Sequence, residues 1–198
     1  MTSRVAALLL VVSLAVGLPG CQASSPATGE PSSSLPPAEP GHHGSSPEPG
    51  EADGILPHGA TVLDEDLPGI ANLRSDLRNA LRRATEDAAE RGIEIQVSSG
   101  WRSAAYQRRL LEEAISEYGS EEEAARWVAT EETSAHVTGE AVDIAPYDAI
   151  DWLARRGAAY GLCQIYGNEP WHYELRPEAI DNGCPVMYPD PSHDPRLR

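Results

Sequence analysis

The sequence predicts an α+β fold, a small antiparallel sheet with helices packed against it. Three observations carry this expectation. Apolar residues recur at helical spacing between 73 and 88, short strand-like runs occur at 93–98 and 141–145, and glycine, proline and capping residues punctuate the chain between them.

The elements follow in order. Leu73, Leu77, Leu81, Ala84 and Ala88 share one helical face, and Gly92 ends that helix. Ile93 to Ser98 alternates as a strand does, with Ile93, Ile95 and Val97 on one side. Ser103 is placed to cap a helix through Ser116, with Tyr106, Leu110, Leu111 and Ile115 as its stripe and Tyr118-Gly119 closing it. Ser120 and Glu123 form a capping-box pattern that opens a helix to about Ala129. Ala141 to Ala145 reads as a short buried strand. Asp148 is expected to cap a helix with Ile150, Leu153 and Ala154 inward and Gly157 or Gly161 near its end. Trp171 to Leu175 reads as a final strand, and no internal repeat is visible.

Before this domain the composition changes. Arg4, an apolar run from Val5 to Leu18 and then Pro19-Gly20-Cys21 make residues 1–21 a secretory signal. The run is too short to span a bilayer. Leu18-Pro19-Gly20-Cys21 resembles a bacterial lipobox, in which Cys21 becomes the lipidated first residue. The alternative is an ordinary signal cut nearby, and both export the chain. Residues 22–59 are rich in Ser, Pro and Gly, bury almost nothing and are expected to be a disordered tether. At about 3 Å per residue such a tether reaches on the order of 100 Å, enough to place a domain within a cell wall. The folded domain is expected over 60–191, with 192–198 as a tail.

A net charge of −16 and a pI near 4.6 exclude nucleic acid as a partner, since that requires a basic face. All the positive charge is arginine, with no polybasic patch, so membrane contact would rest on the lipid alone. A monomer is expected. With Cys21 set aside, Cys163 and Cys184 remain as a pair. In an oxidising compartment they suit a disulfide worth roughly 3 kcal/mol of loop closure. They can instead be zinc ligands, although no CxxC spacing supports that.

Of the six histidines, His42, His43 and His58 lie in or beside the tether and His193 lies in a proline-rich segment. His136 and His172 are left inside the domain. Asp143 interrupts the apolar strand between Val142 and Ile144, and a carboxylate buried there costs several kcal/mol unless it is paired or bound to a metal. Gly139 supplies a turn that can bring His136 back alongside that strand. Two readings fit: His136 and Asp143 belong to a zinc site, or Asp143 caps the next helix and His136 lies on the surface.

Glu169-Pro170-Trp171-His172 cannot be helix interior, because of Pro170. His172 then sits on a strand, where it can supply a third ligand, with Glu169 just beyond bonding range. Two histidines and one aspartate leave a fourth zinc position open for water, the mark of a catalytic site, and a nearby carboxylate takes the proton from that water. Glu169 can also be a salt-bridged loop residue, and Trp171 a core residue. Arg102, in Ser99-Gly100-Trp101-Arg102-Ser103 with Gln107 a turn later, stands at a strand-to-helix junction. It can point into a cleft, to bind a carboxylate or a developing oxyanion, or it can form a surface salt bridge.

The order S-G-W-R-S-x-x-x-Q, S-x-H-x-x-G-x-A-x-D and E-x-W-H resembles the VanY-type D-Ala-D-Ala carboxypeptidases. Their wider group includes VanX-type dipeptidases, bacteriophage endolysin peptidases and the amino-terminal domain of hedgehog proteins. The resemblance spans roughly Arg91 to Leu175 and implies a hedgehog/DD-peptidase-like fold. It also implies one zinc ion per chain held by His136, Asp143 and His172, with Glu169 as general base. Arg102 would stabilise the tetrahedral intermediate, and Ser134, Gln107, Trp101 and Trp171 would meet the substrate. Many members carry Tyr where this chain has Trp101, and Pro-Gly-x where it has Glu131-Glu132-Thr133, departures that touch the pocket rim.

The expected function is removal of the C-terminal D-Ala from peptidoglycan stem peptides, outside a bacterial cell and lipid-anchored. An endopeptidase with the same zinc site is the nearest alternative; a VanX-like dipeptidase fits less well, because a tethered wall-facing protein meets polymer. A non-catalytic zinc-bearing wall-binding module is the alternative from another class, and retention of both Glu169 and Arg102 argues against it.

Overall fold

The computed structural model describes residues 48–197, so Cys21, the signal and most of the tether lie outside the described residues. Four strands form one antiparallel sheet: β1 (Gln96–Ser99), β2 (Ala141–Ala145), β3 (Leu162–Gln164) and β4 (His172–Leu175), in the spatial order β1-β2-β4-β3. The helices are α1 (Pro68–Ala71), α2 (Ser75–Ala89), α3 (Ala104–Tyr118), α4 (Glu121–Ala124), α5 (Tyr147–Arg156) and α6 (Ala179–Asn182). The α+β class and the antiparallel sheet are as expected.

Strand alternation divides the labour of the sheet. Val97, Val142, Ile144 and Tyr173 enter the main core with Leu77, Leu81, Ala84 and Ala88 of α2 and Ile150, Trp152 and Leu153 of α5. The other face of β2 and β4 carries Asp143, His172 and Glu174. Asp143 and His172 are direct partners in the register, as are Ala141 and Glu174. One face therefore supplies the core and the other the polar site. A smaller cluster of Cys163, Ile165, Tyr166 and Ala179 buries the second face beyond β4.

Several local expectations hold. The face of α2 is the expected one from Leu77 to Ala88, although Leu73 lies before the helix; β2 runs over the expected residues, and the Ser103 hydroxyl accepts the Tyr106 N–H at the start of α3. Gly119, in the left-handed region at φ 84°, closes α3. Cys163 and Cys184 form a disulfide.

Other expectations need correction. In α3 the fully buried residues are Gln107 and Ala114, which line a cavity together with Leu110, while Tyr106, Leu110, Leu111 and Ile115 are half-buried. The helix from Ser120 stops at Ala124: Ser120 caps it, but the Glu123 carboxylate turns to Arg126 and closes no box. Pro146 takes the N-cap position of α5 and Asp148 lies inside its first turn. The inward residues of α5 are Ala149, Ile150, Trp152 and Leu153, and Ala154 faces out.

Both domain boundaries also move. Gly54 is buried under the Trp101 carbonyl, so the ordered fold begins before 60. The expected tail is part of the domain: Asp194 is fully buried and accepts the Tyr166 hydroxyl at 3.0 Å.

Candidate metal centre and reaction cavity

The site assembles from one strand pair and one loop. Asp143 and His172 stand side by side because β2 and β4 place them in register on the same face. His136 arrives from the loop before β2. Gly139 turns that loop at φ 72°, where a Cβ would lie 2.4 Å from the Asn72 carbonyl oxygen, so only glycine fits. A bulge between Val97 and Ser99 brings Ser99 opposite Asp143.

Three donor atoms converge. His136 Nε2 lies 3.3 Å from His172 Nδ1 and 3.4 Å from Asp143 Oδ1, and His172 Nδ1 lies 3.3 Å from the same oxygen. Bonds of about 2.0–2.1 Å to a tetrahedral ion put neighbouring donors about 3.3–3.4 Å apart. The triangle matches one face of such a tetrahedron. Among the described residues this is the group of three His, Cys, Asp or Glu side chains able to hold a metal ion.

The surroundings prepare each donor. His136 Nδ1 lies 2.8 Å from the Gly100 carbonyl oxygen, which accepts its N–H and leaves Nε2 as the free lone pair. Burial, reinforced by Arg102, holds the His136 pKa below that of free imidazole and so favours the neutral ligand form. Burial works against ionisation of Asp143, but His136, His172 and Arg102 outweigh it and keep the carboxylate well below its usual range. Arg102 Nη2 donates to Asp143 Oδ2 at 2.7 Å, which engages that oxygen and turns Oδ1 to the histidines. For His172, burial disfavours the imidazolium, yet Asp143 and Glu174 push its pKa up to about 9 in the metal-free protein. A cation and a proton thus compete for His172 Nδ1.

Arg102 is less free than a cleft-facing arginine would be. Its Nε donates to Ser99 Oγ at 2.8 Å and its Nη1 to Gln107 Oε1 at 3.2 Å, while Gln107 itself donates to the Ala129 carbonyl at 2.8 Å. These bonds and the one to Asp143 use three of the five N–H groups of a guanidinium, leaving two for another acceptor. Arg102 borders the cavity beside the donor triangle.

Glu169 is 7% exposed, lines the same cavity and places Oε2 at 3.7 Å from His172 Nδ1. Its Oε1 is buried without a hydrogen-bond partner. Burial pushes the carboxyl up to about 7, with His172 and Arg102 acting in the opposite direction. A buried carboxylate oxygen without a partner is costly in a finished core. Here that oxygen lies beside three converging donors.

The cavity holds about 350 Å³ and is lined by Ser134, Trp171, Tyr166, Trp127 and Tyr118 besides the residues above. Ser134 is buried at its wall. Trp171 is 38% exposed at its edge, a correction to the reading of that residue as core. Trp101 does not line the cavity; its backbone N–H donates to the Gly69 carbonyl. Sequence reasoning missed the Gly100 carbonyl, which no residue type announces. It also missed Glu174, whose two-residue spacing from His172 on a strand was a readable sign of a shared face.

Several known proteins resemble this chain. A family model described as VanY, D-alanyl-D-alanine carboxypeptidase, matches residues 70–178, more than half of the chain. A D-alanyl-D-alanine carboxypeptidase of Enterococcus faecalis is 29% identical over 138 residues, covering 56% of this chain and 52% of that protein. The chain thus spans about half the length of this curated relative. Among solved structures, VanYB in complex with D-alanine-D-alanine aligns with a TM-score of 0.51 and 25% identity, covering 56% of this chain and 74% of that one. The D,D-dipeptidase VanXYg with a D-Ala-D-Ala phosphinate analogue gives 0.51 and 25%, over 64% of this chain and 61% of that one. The LD-carboxypeptidase LdcB shares the fold at 0.53 and 24% identity, over 66% and 73%. With the family model covering more than half of its length, the chain belongs to the VanY D-alanyl-D-alanine carboxypeptidase family.

Proposed function

We propose that this protein is a zinc-dependent carboxypeptidase that removes the C-terminal D-Ala from peptidoglycan stem peptides. The observation that carries the proposal is the donor triangle with tetrahedral edge lengths beside the unpartnered Oε1 of Glu169. A structural zinc site is closed by four protein ligands, whereas here three converge. The likeness to VanYB, whose structure holds D-alanine-D-alanine, supports the substrate class.

His136 Nε2, His172 Nδ1 and Asp143 Oδ1 would hold the ion. When bound, zinc supplies an electrophile for the scissile carbonyl and acidifies a water molecule. Glu169, its carboxyl kept basic by burial, accepts the proton of the attacking water at Oε1 and returns it to the leaving amine. Arg102 keeps Asp143 in place through Nη2 and offers its two remaining N–H groups to the developing oxyanion. Ser134 and Trp171 meet the peptide along the wall.

An exported location follows from the signal-like residues 1–21 and is supported by the disulfide, which persists in oxidising compartments. Cys21 would carry the lipid anchor. Among the described residues no helix is long and apolar enough to cross a membrane.

The test is product analysis by mass spectrometry, with zinc-loaded protein and muropeptides ending in D-Ala-D-Ala. Loss of a single alanine is expected. Internal cleavage would move the protein to the endopeptidases, and zinc binding without cleavage would make it a binding module.

A further inference from the structure

Two imidazoles face the donor triangle, and each must dispose of a second ring nitrogen in a buried setting. His136 does so on a neutral backbone carbonyl, that of Gly100. His172 presents Nδ1 to the triangle, so its Nε2 carries the proton and needs an acceptor. The acceptor in reach is a carboxylate: Glu174 Oε1, at 3.4 Å. That distance is long, since such contacts usually span up to about 3.2 Å, and a shift of a few tenths of an ångström closes it.

Glu174 is 2% exposed, and a carboxylate so deeply buried requires compensating charge. Arg176 Nη2 donates to its Oε2 at 2.5 Å and Arg196 Nη1 to the same oxygen at 2.7 Å, while Arg196 Nη2 reaches Oε1 at 3.2 Å. Arg196 is in turn fixed by Asp194, whose two oxygens accept its Nε at 3.0 and 2.9 Å. Asp194 also accepts the Tyr166 hydroxyl, and the Tyr166 ring packs against His172 with centroids 5.1 Å apart. The contacts close a circuit: His172, Glu174, Arg196, Asp194, Tyr166 and back to His172. Residues 194 and 196, from the segment expected to be a tail, complete it.

We propose that Glu174 is a positioning residue of the metal centre, orienting His172 through its Nε2–H, and that Arg196 holds Glu174 in place for that task. A carboxylate behind a ligating histidine fixes the ring, keeps the metal-facing nitrogen as the lone pair and makes it a stronger donor. The strand geometry suits this role, because residues two apart on β4 share the face opposite the core. The inference rests on the reading of His136, Asp143 and His172 as a zinc site.

The test uses the full chain, stripped of metal and titrated with zinc against a chromophoric chelator. Parent protein is compared with Glu174→Asp, Glu174→Gln and Arg196→Met, with melting of the metal-free forms recorded alongside. Glu174→Asp is the decisive variant. It keeps a negative charge for Arg176 and Arg196 but withdraws the oxygen from His172 by roughly one carbon–carbon bond, about 1.5 Å. The zinc dissociation constant is expected to rise about 10- to 100-fold in both Glu174 variants, and by a smaller factor in Arg196→Met. Glu174→Asp should keep metal-free melting close to the parent. Zinc affinity within twofold of parent in the folded Glu174 variants would overturn the proposal and leave Glu174 as charge balance for its arginines. If both Glu174 variants fail to fold, Arg196→Met decides: unchanged affinity rejects the role, weakened zinc with parent-like melting upholds it. Failure of the parent itself to bind zinc would overturn the metal reading and this inference together.

Discussion

The floor and the rim of the cavity are built on opposite terms. On the floor, Asp143 and His172 are locked by strand register, and their second polar atoms are engaged, by Arg102 and Glu174 respectively. On the rim, Tyr118 and Trp127 stack on each other at 6.0 Å, half-exposed like Trp171, and owe little to the core. The difference teaches where change is tolerated. Floor residues satisfy fold and chemistry at once, so a substitution there disturbs both. Rim residues are held by few obligations, and substrate preference can drift through them while the reaction stays the same.

Arg102→Met would sharpen the contrast most. It frees Asp143 Oδ2 and, in the proposed mechanism, removes a donor to the oxyanion, so kcat is expected to fall about 10²- to 10³-fold in steady-state assays at saturating zinc. A loss below tenfold would reduce Arg102 to a structural partner of Asp143. The next effect is on pH. Glu169 must be ionised to accept a proton, so activity is lost as pH falls through its pKa, about tenfold per unit on the acid side. Burial sets that pKa at about 7 in the metal-free protein, and a bound cation lowers it, so the acid limb of a kcat profile belongs below neutrality. A limb that instead appeared only on the alkaline side would exclude Glu169 as the base. The smallest effect belongs to the rim. Trp171→Ala is expected to raise KM roughly fivefold, about 1 kcal/mol, with kcat and zinc content unchanged. A collapse of kcat in that variant would erase the distinction between floor and rim.

Legibility in the sequence follows the same division. Asp143 between Val142 and Ile144 declared itself, because a charge in an apolar strand demands a partner, and β2 was found over its observed length. The turn at Gly139 was legible because it returns the chain to that strand. The stripe expected on α3 went astray because the fully buried positions of that helix, Gln107 and Ala114, line a cavity together with Leu110, and periodicity does not distinguish a cavity wall from core. The three residues of β3 were invisible: Leu162-Cys163-Gln164 pairs only because β4 offers an edge. Residues 192–197 looked like a tail, since their attachment runs through Asp194, Arg196 and the distant Tyr166 and Glu174, pairings that local sequence does not encode.

The central claim is that His136, Asp143 and His172 hold a catalytic zinc ion while Glu169 works beside it without ligating it. Measuring zinc content and turnover together in Glu169→Ala tests this directly. The account predicts one zinc per chain, as in the parent, with turnover on a D-Ala-D-Ala-terminated peptide reduced by about 10²- to 10⁴-fold. Loss of the zinc, or turnover equal to the parent with zinc retained, would contradict it.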